Sequence, residues 1–125
     1  MQTKQESTIL PSEIALKYFE HWSTKDYEGS AAYLDENLSF KGPIDTFNNS
    51  RDYLQAIKRL STILKEVRVK KAFVDEKDAC FLYDLVTTVA GTTPCAEWIH
   101  VENGKVKSIQ VHFDARPFAA MFERH

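Results

Sequence analysis

The sequence predicts an α+β domain in which three helices are followed by a mostly antiparallel sheet. Helical spacing dominates the first half: Ala15, Tyr18 and Trp22 recur on one face, and Tyr53, Ile57, Leu60 and Leu64 recur on another. After Lys65 the period falls to two, with Val67, Val69 and Phe73 alternating with charged residues. Turn signals at 75–78, 91–94 and 103–104 then divide the remainder into hairpins. Helices first and hairpins afterwards give α+β, and the lack of a βαβ rhythm argues against a Rossmann-type nucleotide site.

Each element has a local reason. Ser12 is placed to cap the first helix, with Glu13 in its first turn, and the apolar stripe runs to Thr24. Asp26 caps a shorter second helix with Tyr27, Ala31 and Leu34 on one side. A strand over 38–41 ends at Gly42-Pro43. The loop to Asn49 carries Ile44 and Phe47, which need cover, and Ser50 caps the third helix. Residues 80–90 form a strand apolar on both faces, 95–102 the next, and 105–114 the last. Residues 115–123 read as a terminal helix, with Pro117 tolerated in its first turn.

Composition bounds the function. At 125 residues there is room for one domain, read as 11–125 behind a flexible N-terminal arm over 1–10. Sixteen basic and 18 acidic residues leave a formal charge of -2, which favours neither nucleic acid nor an anionic membrane as partner. No apolar run reaches the length of a membrane span, and the polar first eight residues are no secretory signal, so a cytoplasmic protein is expected. Two cysteines cannot build a disulfide framework or a zinc site, and neither cofactor nor metal is expected. Eight Phe, five Tyr and two Trp suggest a large apolar interior or an aromatic-lined cavity.

The first helix running into "STKDYEGSAAYLDENLSF", the "GP" after the first strand, and "ENGKVKSIQVHFD" near the end resemble the nuclear-transport-factor-2-like (NTF2-like) superfamily. Within it they resemble the SnoaL-like polyketide cyclases and ketosteroid isomerases, over roughly residues 12–122. The "D-aromatic-x-G" pattern at Asp26–Gly29 is part of the resemblance. It implies a cystatin-like cone: a curved sheet wrapped around helices, an apolar pocket at the open end, and a homodimer through the outer sheet face.

The resemblance also places candidate chemistry. Tyr18 falls where the isomerases carry a hydrogen-bonding phenol, and Glu97 where they carry a protonated acid. Together these groups would stabilise an enolate in an apolar site. The competing readings are a core tyrosine and a glutamate paired with a base such as Lys58 or Arg59. The isomerases' general base would fall at Gly42, which cannot take a proton; Asp45 lies nearby in the same loop. Asp114, in "HFD", resembles the acid/base of the cyclases, although an Asp before a helix is also a cap. His21, Trp22, Phe47, Ile99 and Phe113 complete the expected ligand-binding set, for a small apolar or carbonyl-containing molecule.

Hairpin arithmetic orders the strands. A turn at Asn103-Gly104 pairs residues summing to about 207, which sets His100 opposite about Lys107 and His112 opposite about Cys95, too far apart for a two-histidine metal site. If Glu97, Ile99 and Val101 face the pocket, Trp98, His100 and His112 face outward and suit a dimer interface. A turn at Gly91-Thr92 pairs residues summing to about 183, leaving Cys80 and Cys95 as free thiols. Three functions follow: a ligand-binding module, a cofactor-independent cyclase- or isomerase-like enzyme using Asp114, Glu97 and Tyr18, or a non-catalytic dimerisation module.

Overall fold

The computed structural model describes residues 10–121. The expected arm over 1–10 therefore lies, except for Leu10, outside the described residues, as do the last two positions of the expected terminal helix. Three helices, α1 (Pro11–Ser23), α2 (Tyr27–Ala31) and α3 (Ser50–Leu60), pack on one curved, open sheet. Its strands are β1 (Leu34–Lys41), β2 (Thr46–Phe47), β3 (Leu64–Asp75), β4 (Asp78–Thr87), β5 (Gly91–Glu102) and β6 (Lys105–His112). They lie in the order β2-β1-β6-β5-β4-β3. Only β1 and β6 run parallel; every other pair is antiparallel.

α1 begins two residues before the position that a Ser12 cap implies. Leu10 is its N-cap and Pro11 its first residue, where a missing N–H costs nothing. Asn49, not Ser50, caps α3, accepting from Asp52 N at 2.8 Å. Leu64 opens β3 rather than closing α3. A 3-10 helix over Arg116–Met121 replaces the longer terminal helix.

Asp26 caps α2 as expected, and the geometry explains the glycine three residues on. Its carboxylate accepts from Gly29 N at 3.0 Å and from the His21 ring at 2.8 Å. Those two bonds, the Gly29 bond first, hold the Asp26 pKa below the usual range. A Cβ on Gly29 would sit 2.4 Å from Asp26 Oδ2 and 2.6 Å from His21 Nδ1, so the pair occupies the space that a side chain needs. Alanine gains about 1 kcal/mol of helix propensity over glycine. The clash should outweigh that gain, and Gly29→Ala is expected to lower the melting temperature by about 4 °C in a thermal scan. A rise would refute the steric explanation.

The core lies between α1 and the inner sheet face. Odd-numbered residues of β4 and β5 point inward: Ala79, Phe81, Tyr83 and Leu85 pair with Ile99, Glu97, Cys95 and Thr93, all buried. Phe19 of α1 stacks on Phe81 with ring centroids 4.2 Å apart and meets Trp22 and Tyr83 edge-on. Of this cluster, Trp22 and Tyr83 also line the cavity on the inner sheet face.

The outer face carries Trp98, 46% exposed, beside Cys80, Leu82 and His112. Asp78 accepts from Trp98 Nε1 and pairs with His100 Nδ1, both at 2.8 Å. The Asp78 bond raises the His100 pKa. His100 pairs with Ser108 and His112 with Ala96, each one residue from its expected partner. The β4–β5 pairs sum to 178, not 183, so Cys80 faces Trp98 and Cys95 faces Tyr83. Both thiols are free.

Candidate functional site

A cavity of about 390 Å³ opens between α3, the 42–45 loop and the inner faces of β4, β5 and β6. α3 turns Tyr53, Ile57 and Leu60 toward it because they share one helical face. Its walls are mostly apolar, and its charged lining side chains are Glu97 in the interior and Asp45 and Arg59 at the exposed rim.

Glu97 is the buried acid of this cavity, 2% exposed. The alternation of β5 sends it inward, between Phe81 on one neighbouring strand and Val111 on the other. Glu97 Oε1 accepts from the Tyr83 hydroxyl at 2.9 Å; Oε2 has no protein partner among the described residues. No ion pair reaches it among those residues, so the lysine or arginine partner considered from sequence is absent there. Burial pushes the carboxyl up to about 7, against the Tyr83 bond, which favours the anion. Trp22 also lines the cavity, and its Nε1 is a second buried polar atom without a partner among the described residues.

Three phenols surround the acid. Tyr18 is fully buried and hydrogen-bonds to Tyr53 through its hydroxyl; Tyr53 forms part of the wall. Burial, with the nearby Glu97 carboxylate adding to it, holds Tyr18, Tyr53 and Tyr83 well above the ordinary phenol pKa. They act as neutral hydroxyls. Burial likewise pushes the Cys95 thiol up to about 12, leaving it an inert part of the wall.

No protein-family model and no curated protein matches the sequence. The fold does have relatives. An NTF2-like protein of unknown function from Cytophaga hutchinsonii superposes with a TM-score of 0.80 at 25% identity, covering 95% of this chain and 99% of that one. The fold is NTF2-like. A protein provisionally named a SnoaL-like polyketide cyclase, from Shewanella denitrificans, gives 0.73 at 12% identity over 88% of this chain and 94% of that one. An LEH-like epoxide hydrolase from M. tuberculosis gives 0.71, also at 12% identity, over 88% and 86%. At such identity these two likenesses establish the fold alone.

The NTF2-like cone brings together part of the expected site. Trp22, Phe47, Glu97 and Phe113 line the cavity. Tyr18 does not: it stands behind Tyr53 and reaches the cavity only through that hydroxyl. Ile99 faces inward but is buried in the core away from the lining. His21 lies outside, bonded to Asp26 and stacked on Tyr33, because the Asp26 cap draws it toward α2. Asp114 is exposed and also outside. It receives the Arg116 side chain at 2.9 and 2.7 Å and the Arg116 N–H at 3.0 Å. Those bonds hold its pKa down at about 2, and its place is that of a turn-capping carboxylate, the alternative to an acid/base that its sequence position offered.

Gly42 does line the cavity, and a Cβ there would meet the Phe40 ring at 3.2 Å. A side chain at 42 would therefore press on a ring that packs on Tyr53 and need it to give by a few tenths of an ångström. Among the described residues no cluster of three or more His, Cys, Asp or Glu is disposed to hold a metal ion. Tyr83 and Tyr53 are the site residues that the sequence did not single out. Tyr53 was legible as part of an apolar helical stripe, and Tyr83 required the true β4–β5 register.

Proposed function

We propose that the protein binds a small, mostly apolar molecule in this cavity and presents the neutral Glu97 acid to an oxygen acceptor on it. The carrying observation is Glu97 itself: a buried carboxyl with one oxygen held by Tyr83 and the other unpartnered. A protonated Oε2 donates to a carbonyl oxygen, whereas an ionised one repels it. Binding should therefore weaken as pH rises through about 7. The test is calorimetric titration with 4-tert-butylcyclohexanone at pH 6 and pH 8.5, with tert-butylcyclohexane as control. The ketone should lose about tenfold in affinity at the higher pH and the hydrocarbon should not. Equal ketone affinity at both values would contradict the donor role.

A second reading is cofactor-independent proton transfer of the cyclase or isomerase kind. An acid whose pKa lies near 7 is matched to giving and taking a proton at neutral pH, and the pKa of Glu97 supports that use. Gly42 offers no base for the ketosteroid isomerase arrangement. A dimerisation module with a filled interior has no support in an open cavity of about 390 Å³.

The homodimer is proposed on the outer face of the sheet. Phe73, Leu82 and Trp98 are exposed there, an apolar patch unusual on a monomer. Light scattering at micromolar concentration should give twice the chain mass. Trp98→Glu should shift it toward the monomer, and a monomeric wild type would remove the proposal.

A further inference from the structure

The charged groups of the cavity divide between its buried interior and its exposed rim, and the hydroxyls of Tyr53 and Tyr83 are already engaged with Tyr18 and Glu97. The interior end holds Glu97 and Trp22, each with a buried, unpartnered polar atom among the described residues. The rim holds Arg59 and Asp45. The rest of the wall is mostly aliphatic and aromatic, with Ile57, Leu60, Ile63 and Leu85 among its members. A ligand matched to this surface has an oxygen at one end, an apolar body, and a charged group at the other.

We propose that the ligand is an amphiphilic monocarboxylic acid, its carboxylate paired with Arg59 at the rim and its far end directed at Glu97 and Trp22. The inference rests on the reading of the cavity as a ligand site and names the ligand's class. Arg59 is exposed and has no carboxylate within 4 Å among the described residues, so its guanidinium is not committed to the fold. It stands on α3, a rigid helix. One turn earlier Ala56, also in the lining, offers only a methyl group and leaves the approach uncovered. The guanidinium fork matches a carboxylate with two parallel bonds. Asp45 on the opposing loop is the counter-case: it would favour a cationic head and repel an anionic one. Its loop position, tied by the Gly42 N–H to Asp45 O bond at 2.9 Å, is a less precise platform than a helix. Size is also bounded, since about 390 Å³ holds roughly a dozen non-hydrogen atoms at about 30 Å³ each.

Three probes of that size separate the possibilities: 9-oxodecanoic acid, its methyl ester, and decyltrimethylammonium. Titration calorimetry at pH 6 keeps the probe acid ionised and Glu97 mostly protonated. The acid should bind about five- to tenfold more tightly than the ester. Arg59→Gln should abolish that preference, weakening the acid by more than the ester, and Asp45→Asn should increase the affinity for the acid. Equal binding of acid and ester by wild type, an unchanged preference in Arg59→Gln, or tighter binding of the ammonium probe would overturn the carboxylate proposal alone. Failure of all three probes to bind would overturn it together with the ligand-site reading.

Discussion

Glu97→Gln should remove a loss of stability of about 3 kcal/mol that the wild type undergoes between mildly acidic and mildly alkaline pH. The carboxyl's pKa rises from an ordinary 4.5 to about 7 on folding. The folded protein therefore holds a proton that the unfolded chain releases, and stability falls with rising pH across that window. The contribution is complete below about 4.5 and lost as pH rises through about 7. A shift of about 2.5 pH units at about 1.4 kcal/mol each bounds the effect at about 3.5 kcal/mol, of which about 3 falls within that pH interval. Glutamine keeps the oxygen that accepts from Tyr83 and carries no charge. Urea unfolding should place the variant within about 1 kcal/mol of wild type at pH 5 and clearly above it at pH 8.5. His100, raised by Asp78, loses stability in the same direction, so the difference between variant and wild type is the quantity to read. A wild type that gains stability from pH 5 to 8.5 relative to Glu97→Gln would contradict a protonated Glu97.

Phe19→Ala should cost about 3–5 kcal/mol, the range for deleting a buried phenylalanine. Phe19 is buried and touches three aromatic rings at once: Phe81 face to face, Trp22 and Tyr83 edge to face. Its loss opens a cavity under the two side chains that carry the site's indole and its Glu97 hydroxyl donor. A domain of this size has about 5–15 kcal/mol in total, so the variant sits close to unfolding. Phe19→Leu fills most of the volume and should lose about half as much. A loss below about 1 kcal/mol for alanine would mean that the aromatic cluster repacks freely.

The order of elements was legible because periodicity reports which face is buried. α1, α3 and the β3–β6 meander follow from it, and Asn103-Gly104 set the β5–β6 register to within one residue. The resemblance suggested a pocket-facing Glu97, strand alternation then set Trp98 outward, and both are found so. The β4–β5 turn was misplaced because its composition misleads. Gly91-Thr92-Thr93-Pro94 looks like a turn, yet the chain turns over 88–90, where Ala90 N donates to Thr87 Oγ1 at 2.9 Å. Gly91, at φ 66°, opens β5, and Pro94 is tolerated because β6 begins pairing with β5 only at Ala96. An odd pairing sum also inverts the relative facing of two strands. A sum of 183 sets Tyr83 opposite His100 on the outer face, whereas 178 turns Tyr83 inward beside Glu97. That one shift hid the acid's hydrogen-bond donor. Asp114 misled for another reason: "HFD" has no signal for Arg116 two residues later, which claims the carboxylate.

The most direct measurement is a carbon-detected NMR titration of the glutamate side-chain carboxyls, assigned by comparing wild type with Glu97→Gln. A buried, neutral acid at the cavity floor requires the Glu97 signal to titrate near pH 7, well apart from the exposed glutamates. A Glu97 midpoint at or below about 4.5 would show an ionised carboxylate at neutral pH and would contradict its role as a donor to the ligand.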